Sequence, residues 1–370
     1  MRVAFVLGTT SGGTGRHVRM LVEGLVRRGH QVLVAGPRGV EERFSYTGAG
    51  ARFVEVPVSD RPHPLNDARA VLVIRRLAMG ADVVHAHGLR AGALAALGRR
   101  APRGGPARAP LVVTLHNALT AGGLIGFVYR LLERVVAGRA DRVLVVSPDL
   151  GERMSALGAR DVRAAVVPAP PPGPARRRPE EVRAELGAGR RPILLTVARL
   201  AQQKGLDTLL DVARGPWPDD DPGRSPLFVV AGEGPLRERL QARIDAERLP
   251  VMLLGNRDDV PDLLAAATAV LVTARWEGQP LSLSETLMAG RPVIATEVGG
   301  IPALLGGAGL LVPYGDVEAL RSAVRTLVGD PEAVARMAAA SARRGAALPD
   351  ADDAVERVMS DYGQEDRTKD

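Results

Sequence analysis

Residues 273–302 read TARWEGQPLSLSETLMAGRPVIATEVGGIP, and the order of elements in this stretch decides how the rest of the chain is read. An apolar run from Ala269 to Ala274 ends as it begins. The pattern predicts a strand, a short loop and then a helix entered at Pro280, because proline suits the first helical turn. Glu277 and Glu285 bracket that passage with seven residues between them. A helix start points unpaired backbone N–H groups outward and favours an anion such as phosphate, whereas ionised carboxylates only accept hydrogen bonds and suit hydroxyls. The combination fits a ligand that carries both, as a nucleotide sugar does. A purely structural alternative stands beside this: Ser282 and Glu285 have capping-box spacing, and Glu277 could simply favour the helix dipole. Pro280 weighs against it, since the helix would then start before Ser282.

At 370 residues the chain has room for two ordinary domains, and 46% apolar with 25% charged residues is the balance of a globular protein. The absence of cysteine excludes disulfides and thiolate metal sites and is compatible with the cytosol. No apolar run approaches the ~20 residues that span a bilayer. The opening VAFVLG is too short for a signal segment and reads as a first strand.

From that strand onward, apolar runs of strand length alternate with amphipathic segments: Val3–Gly8, a helix from about Arg16 to Arg28, then QVLVAG, RFVEVP, DVVHAHG, LVVTLHN and RVLVVSP. This is the signature of a parallel sheet covered by helices on both faces. Five prolines between Pro168 and Pro174 mark a stiff linker. A second alternating series follows: PILLTVARL, LFVVAGEGP, VMLLGN, AVLVTA, PVIATE and GLLVP, with helices expected over 317–343 and 353–359 and a frayed QEDRTKD end. The glycine-rich turn GTTSGGTGRH after the first strand has neither G-x-G-x-x-G spacing nor a Walker lysine. His85 and His87 alternate along one strand and His116 ends the next, so all three can gather at the carboxyl edge of the sheet; a three-histidine zinc site is one reading and packed, hydrogen-bonded rings the other.

The run EGQPLSLSETLMAGRPVIAT, with the GGIP turn after it, resembles the E-x7-E signature of retaining glycosyltransferases of the GT-B fold, most closely family 4. VARLxxxKG (197–205), AGEGP (231–235), GNRDDV (255–260), TLHN (114–117) and GGxGRHV (12–18) match further segments, so the resemblance runs from Gly12 to Asp316. It implies an α/β architecture of two Rossmann-like doubly wound domains facing across a cleft. These would be 1–168 on the acceptor side and 191–348 for the nucleotide sugar, joined by a linker over 169–190, with a C-terminal helix and tail (349–370) able to pack back on the first domain. The linker departs from the family, which commonly has an N-G-V-D-like segment there.

The implied activity is retaining, metal-independent transfer of a sugar from a nucleoside diphosphate, UDP or GDP by preference, to an acceptor hydroxyl, with no cofactor. Arg199, Lys204, Glu277 and His116 would be catalytic. Glu285, Gly13, Gly278, Gln279, Pro280, Leu281, Asn256, Arg257 and Gly232 would bind the donor. Gly12, Thr14, Gly15, His17, His85 and His87 would face the acceptor. Lys204 stands out because the chain has two lysines among 49 basic residues. No D-x-D pair lies in a cleft-like context; Asp219–Asp221 sit in a proline-bounded loop. The rivals are a GT-B shell that binds nucleotide sugar without turnover and a nucleotide-sugar epimerase.

Residues 1–175 hold 24 Arg against 12 Asp plus Glu, a net +12, so the first domain should attract anionic partners. Aromatic residues at 3% speak against nucleic acid and against a polysaccharide platform. A cytoplasmic enzyme, peripheral on the inner face of the membrane and acting on a lipid-linked acceptor, is compatible. The segment after His116, with Leu124, Ile125, Phe127, Val128, Leu131 and Leu132 beside arginines, is the candidate contact.

Overall fold

The computed structural model describes residues 1–10, 12–58, 64–99, 109–117, 123–217 and 225–363. Asp219–Asp221 and the 364–370 tail lie outside them. The chain divides into two units, Met1–Pro168 with Pro349–Asp370, and Ala169–Leu348.

The first unit is built on seven parallel strands: β1 (Arg2–Leu7), β2 (Gln31–Gly36), β3 (Arg52–Glu55), β4 (Val83–His87), β5 (Leu111–Leu115), β6 (Arg142–Val145) and β7 (Val162–Ala164), in the order β3-β2-β1-β4-β5-β6-β7. β4 and β5 are buried along their whole length, as strands covered on both faces must be. The order reverses between β1 and β4, and in such sheets ligands bind outside the carboxyl ends at that reversal. Leu7 pairs with His87 and His87 with Thr114, which puts the end of β1, both β4 histidines and the start of the TLHN turn side by side.

The helix after β1 runs Gly13–Arg27, three residues longer at its start than the apolar pattern predicts. Gly13, Thr14 and Gly15 are therefore its first turn rather than an open loop, with Gly12 as N-cap. The polar, glycine-rich residues carry no periodic signal, but their backbone can still close a turn. A Cβ on Gly15 would lie 2.2 Å from the Phe44 ring, so this glycine serves packing. On the same helix a Cβ on Gly24 would lie 2.4 Å from a Val355 methyl, because the C-terminal helix Ala351–Asp361 lies directly against it. Ala354, Val355 and Val358 share one core with Phe5, Leu7, Leu21 and Leu25. At the end of the C-terminal helix the buried Asp361 carboxylate accepts from Arg163 at 3.1 Å and Arg142 at 3.4 Å.

The second unit has six parallel strands, β8 (Ile193–Val197), β9 (Leu227–Ala231), β10 (Val251–Gly255), β11 (Ala269–Val272), β12 (Val293–Thr296) and β13 (Leu310–Val312), ordered β10-β9-β8-β11-β12-β13. Alternate residues feed opposite cores: Leu194, Phe228 and Leu271 one, Ile193, Leu195 and Val229 the other. The reversal here falls between β8 and β11.

Two expectations change. The stretch 169–190 is not all linker: Pro179–Glu185 is a helix whose Val182, with Leu186 just beyond it, enters the core of the second unit. Asp262 also ties the prolyl stretch down, accepting from the backbone N–H of Arg176 and Arg177. The segment 317–343 is two helices, Val317–Gly329 and Pro331–Ala346, because Pro331 cannot continue the first and Asp330 caps the second by accepting from the Ala333 N–H at 3.0 Å.

Candidate active site

In the second unit the reversal joins β8 to β11, and the loops leaving those strands carry Arg199, Lys204 and Glu277. Lys204 and Glu277, 73 residues apart, form a direct ion pair. Backbone fixes both ends of it. Gly205 is left-handed (φ 61°), and a Cβ there would lie 1.9 Å from the Thr273 carbonyl oxygen; Thr273 Oγ1 donates to the Lys204 carbonyl at 3.1 Å. Arg275 N–H donates to Gln203 O at 2.8 Å and Gln203 Nε2 to Trp276 O at 3.1 Å. On the other side Gly299 (φ 55°) brings its Cα against the Glu277 carbonyl, where a Cβ would lie at 1.9 Å, and Gly300 N–H donates to that carbonyl at 2.9 Å. The carboxylate of Glu277 is thus buried in a loop held from two directions. A small pocket opens here, lined by Thr196, Lys204, Thr273, Glu277, Pro280 and Ser282.

The helix after this loop is Leu281–Met288, with Pro280 as N-cap rather than a helical residue. No side chain caps it, so Ser282 and Glu285 do not form a capping box at this end, and its first N–H groups are left without a side-chain cap. Glu285 is half-buried one turn in. Gly278 is buried, and Gln279 keeps its Oε1 buried without a hydrogen-bond partner among the described residues. Arg199 is exposed and makes no ion pair among them.

At the reversal of the first unit the chemistry is different: four imidazoles gather, and among the described residues no carboxylate is hydrogen-bonded to them. His85 bonds Tyr362 OH through Nδ1 and Thr114 Oγ1 through Nε2, both at 2.7 Å. His87 lies against His85 with the rings tilted by 31° and centroids 4.2 Å apart, and its Nδ1 lies 3.0 Å from His116 Nε2. His17, from the first helix, meets His87 and His116 edge-on at 5.8 and 5.7 Å. Burial holds every ring below its ordinary range, His85 at about 3 and His116 at about 4, with His17 and His87 well below; His116 adds repulsion to the other three. The rings are neutral at neutral pH. His85 bonds hydroxyls through both nitrogens and His87 meets His116, while His17 Nδ1 and His87 Nε2 are buried without a hydrogen-bond partner among the described residues, where no group of three His, Asp or Glu side chains is arranged to hold a metal ion.

Residues 12–170 match the glycosyl transferase 4-like domain and residues 191–330 the glycosyl transferases group 1 domain. The chain belongs to the group 1 glycosyltransferases. It is similar to alpha-D-kanosaminyltransferase of Streptomyces kanamyceticus, 30% identical over 164 residues, which are 43% of this chain and 42% of that protein. It is also similar to a GDP-mannose-dependent alpha-(1-6)-phosphatidylinositol monomannoside mannosyltransferase of Mycolicibacterium smegmatis, 28% identical over 358 residues and 89% of each. The match to the first thus spans less than half of its length, that to the second most of it. Among solved structures, Anabaena HepE in complex with UDP superposes with a TM-score of 0.79 at 19% identity, covering 98% of this chain and 100% of that one, a likeness of GT-B fold.

The remaining family-matched positions of this group 1 chain lie around the same strand ends. Gly232 follows β9, bridged to Gly255 by an N–H donated at 2.7 Å. Asn256 is exposed beyond β10, and the Arg257 guanidinium is taken up by Asp259 at 2.6 Å and Glu185 at 3.0 Å. Sequence reasoning missed Gly205, Thr273 and Gly299, which aim the Lys204–Glu277 pair, and Thr114 and Tyr362, which engage His85. The KG and VGG pairs were visible; their partners depend on strand order. Nothing local announces Tyr362.

Proposed function

We propose that the protein is a retaining, metal-independent glycosyltransferase that moves a sugar from a nucleoside-diphosphate donor, UDP or GDP, to an acceptor hydroxyl. The observation that carries this reading is the meeting of Lys204 and Glu277 at the β8/β11 reversal beside a helix start. Breaking the bond from the sugar C1 to the phosphate oxygen leaves a diphosphate with one more negative charge and an oxocarbenium-like sugar. In this reading Lys204, Arg199 and the N–H groups of Gln279 and Leu281 stabilise the leaving group, two cations and a helix start taking the part of a metal. Glu277, its carboxylate aimed by backbone on both sides, accepts from sugar hydroxyls, and Glu285 from those of the ribose. His116 is read as a residue that meets a sugar hydroxyl. Attack from the face of the departing diphosphate retains configuration, and there the leaving phosphate oxygen is the nearest base for the acceptor's proton.

The acceptor we favour is lipid-linked. No helix among the described residues is long and apolar enough to cross a membrane. On the helix Gly123–Arg139, however, Phe127 and Leu131 are more than half exposed beside exposed Arg130 and Arg134, a pairing that suits an anionic interface. The side chains of Leu124 and Ile125 lie outside the described residues.

Incubation with UDP-, GDP- and ADP-sugars, with and without EDTA, tests the reaction. Slow release of nucleoside diphosphate that survives EDTA, and a product whose anomeric configuration by NMR matches the donor, is the expected result. Nucleotide binding without release would leave a binding shell, and activity lost in EDTA and restored by Mn²⁺ would refute metal independence. Sedimentation with anionic and neutral liposomes tests the surface: salt-sensitive binding to anionic vesicles alone is expected, and no binding points to a free small-molecule acceptor.

A further inference from the structure

His87 and His116 face each other through His87 Nδ1 and His116 Nε2 at 3.0 Å. Both rings are neutral, so one proton lies between these two nitrogens, and which ring owns it is assigned from the surrounding network. If His116 donated, His87 would carry its own proton on Nε2. That atom is buried in a side chain 2% exposed, without a partner among the described residues. Its surroundings are the rings of Phe5 at 5.5 Å, His85 at 4.2 Å and His17 at 5.8 Å. An N–H there would be an orphaned buried donor, the rarest and costliest kind of unsatisfied polar group. If His87 donates, Nε2 is only a bare lone pair among rings.

We propose that His87 is a positioning residue for His116: by donating from Nδ1 it holds His116 in the tautomer protonated on Nδ1, so that His116 meets its ligand as a hydrogen-bond donor and has no free lone pair to act as a base. His116 is half-buried, and its Nδ1 makes no hydrogen bond among the described residues, so this N–H is the polar atom it has left to offer. Its partner is an oxygen with a lone pair, a sugar hydroxyl in the reading given above, on which the ligand's identity rests. The proton released in transfer must leave by another route.

The test needs no substrate, and so stands apart from whether transfer is found. Long-range proton–nitrogen correlation spectra of ¹⁵N-histidine-labelled protein at pH 7.5 report each ring's tautomer, with His116 assigned by its loss in His116→Gln. The wild type should show His116 protonated on Nδ1. His87→Ala should move His116 toward the Nε2–H form common for free imidazole. His87→Asn, whose amide nitrogen falls where Nδ1 was and can donate, should restore the wild-type pattern. Unchanged His85 signals in both variants would show that packing is kept. A wild-type His116 protonated on Nε2 overturns the proposal, even if neither variant folds, and so does a tautomer that ignores His87→Ala. In a transfer assay, His87→Ala should lower turnover several-fold and His87→Asn should recover it.

Discussion

The two strand-order reversals share one topology and hold opposite chemistry. At β8/β11 the chain brings a cation and an anion into contact and fixes the backbone beneath them with glycines too close to a carbonyl to bear a side chain. At β1/β4 it gathers four neutral rings, held by hydroxyls and by one another. In the reading proposed above, the charge that follows a leaving phosphate rests on backbone held by close glycine contacts, whereas the groups that would meet a sugar are kept uncharged by burial. The fold supplies the place and the side chains supply the electrostatics.

That contrast is open to direct attack, and the largest effect should come from Lys204→Ala. Removing one donor to a developing charge costs on the order of 10² to 10³ in kcat, and here it also leaves buried Glu277 without its cation. Steady-state kinetics within a factor of two of wild type would return Lys204 to an ordinary structural ion pair. Glu285→Ala comes next: loss of an ionised acceptor for ribose hydroxyls should weaken nucleotide binding by roughly 1.5 to 3 kcal/mol, and equal calorimetric affinity for both proteins would sink the ribose assignment. Glu277→Ala should instead lower turnover more than affinity.

Gly299→Ala probes the backbone beneath the pair. A methyl 1.9 Å from the Glu277 carbonyl at φ 55° must displace the loop, at about 1 to 3 kcal/mol. Thermal unfolding should show the loss, and turnover should fall although no functional side chain has changed. The histidines are tested last, through pH. Their folded-state pKa values lie below the unfolded value of about 6.5, so between pH 6.5 and about 4 the unfolded chain binds more protons than the native one. Stability therefore falls as pH drops through that window, by up to about 1.4 kcal/mol per pH unit for each ring, and is fully present above it. Denaturant titrations at several pH values should show this slope, and His85→Gln should flatten it.

Much of this was legible in the chain. Twelve of the thirteen strands among the described residues announce themselves because a parallel sheet covered on both faces needs apolar runs, and Lys204 stands out by its rarity; β7, three residues at the sheet edge, does not. What could not be read depends on which strands become neighbours. The contact between Lys204 and Glu277 exists only because β11 pairs with β8 rather than with β10. The start of the first helix at Gly13 was hidden because glycine and threonine give no periodic signal, and the helix Pro179–Glu185 because the prolines before it dominate the reading.

The C-terminal helix has a consequence for how the protein is made. Val355 sits against Gly24 and Tyr362 against His85, so the core of the first unit spans more than 300 residues of sequence. A ribosome delivers residues 169–348, which make up the second unit, before it delivers the helix that completes the first. The unit synthesised first is therefore finished last, against the usual N-terminal-first order. Until residue 362 emerges, the apolar face around Leu21 and Leu25 lacks its cover, and a nascent chain stalled before that point should be a preferred client for chaperones.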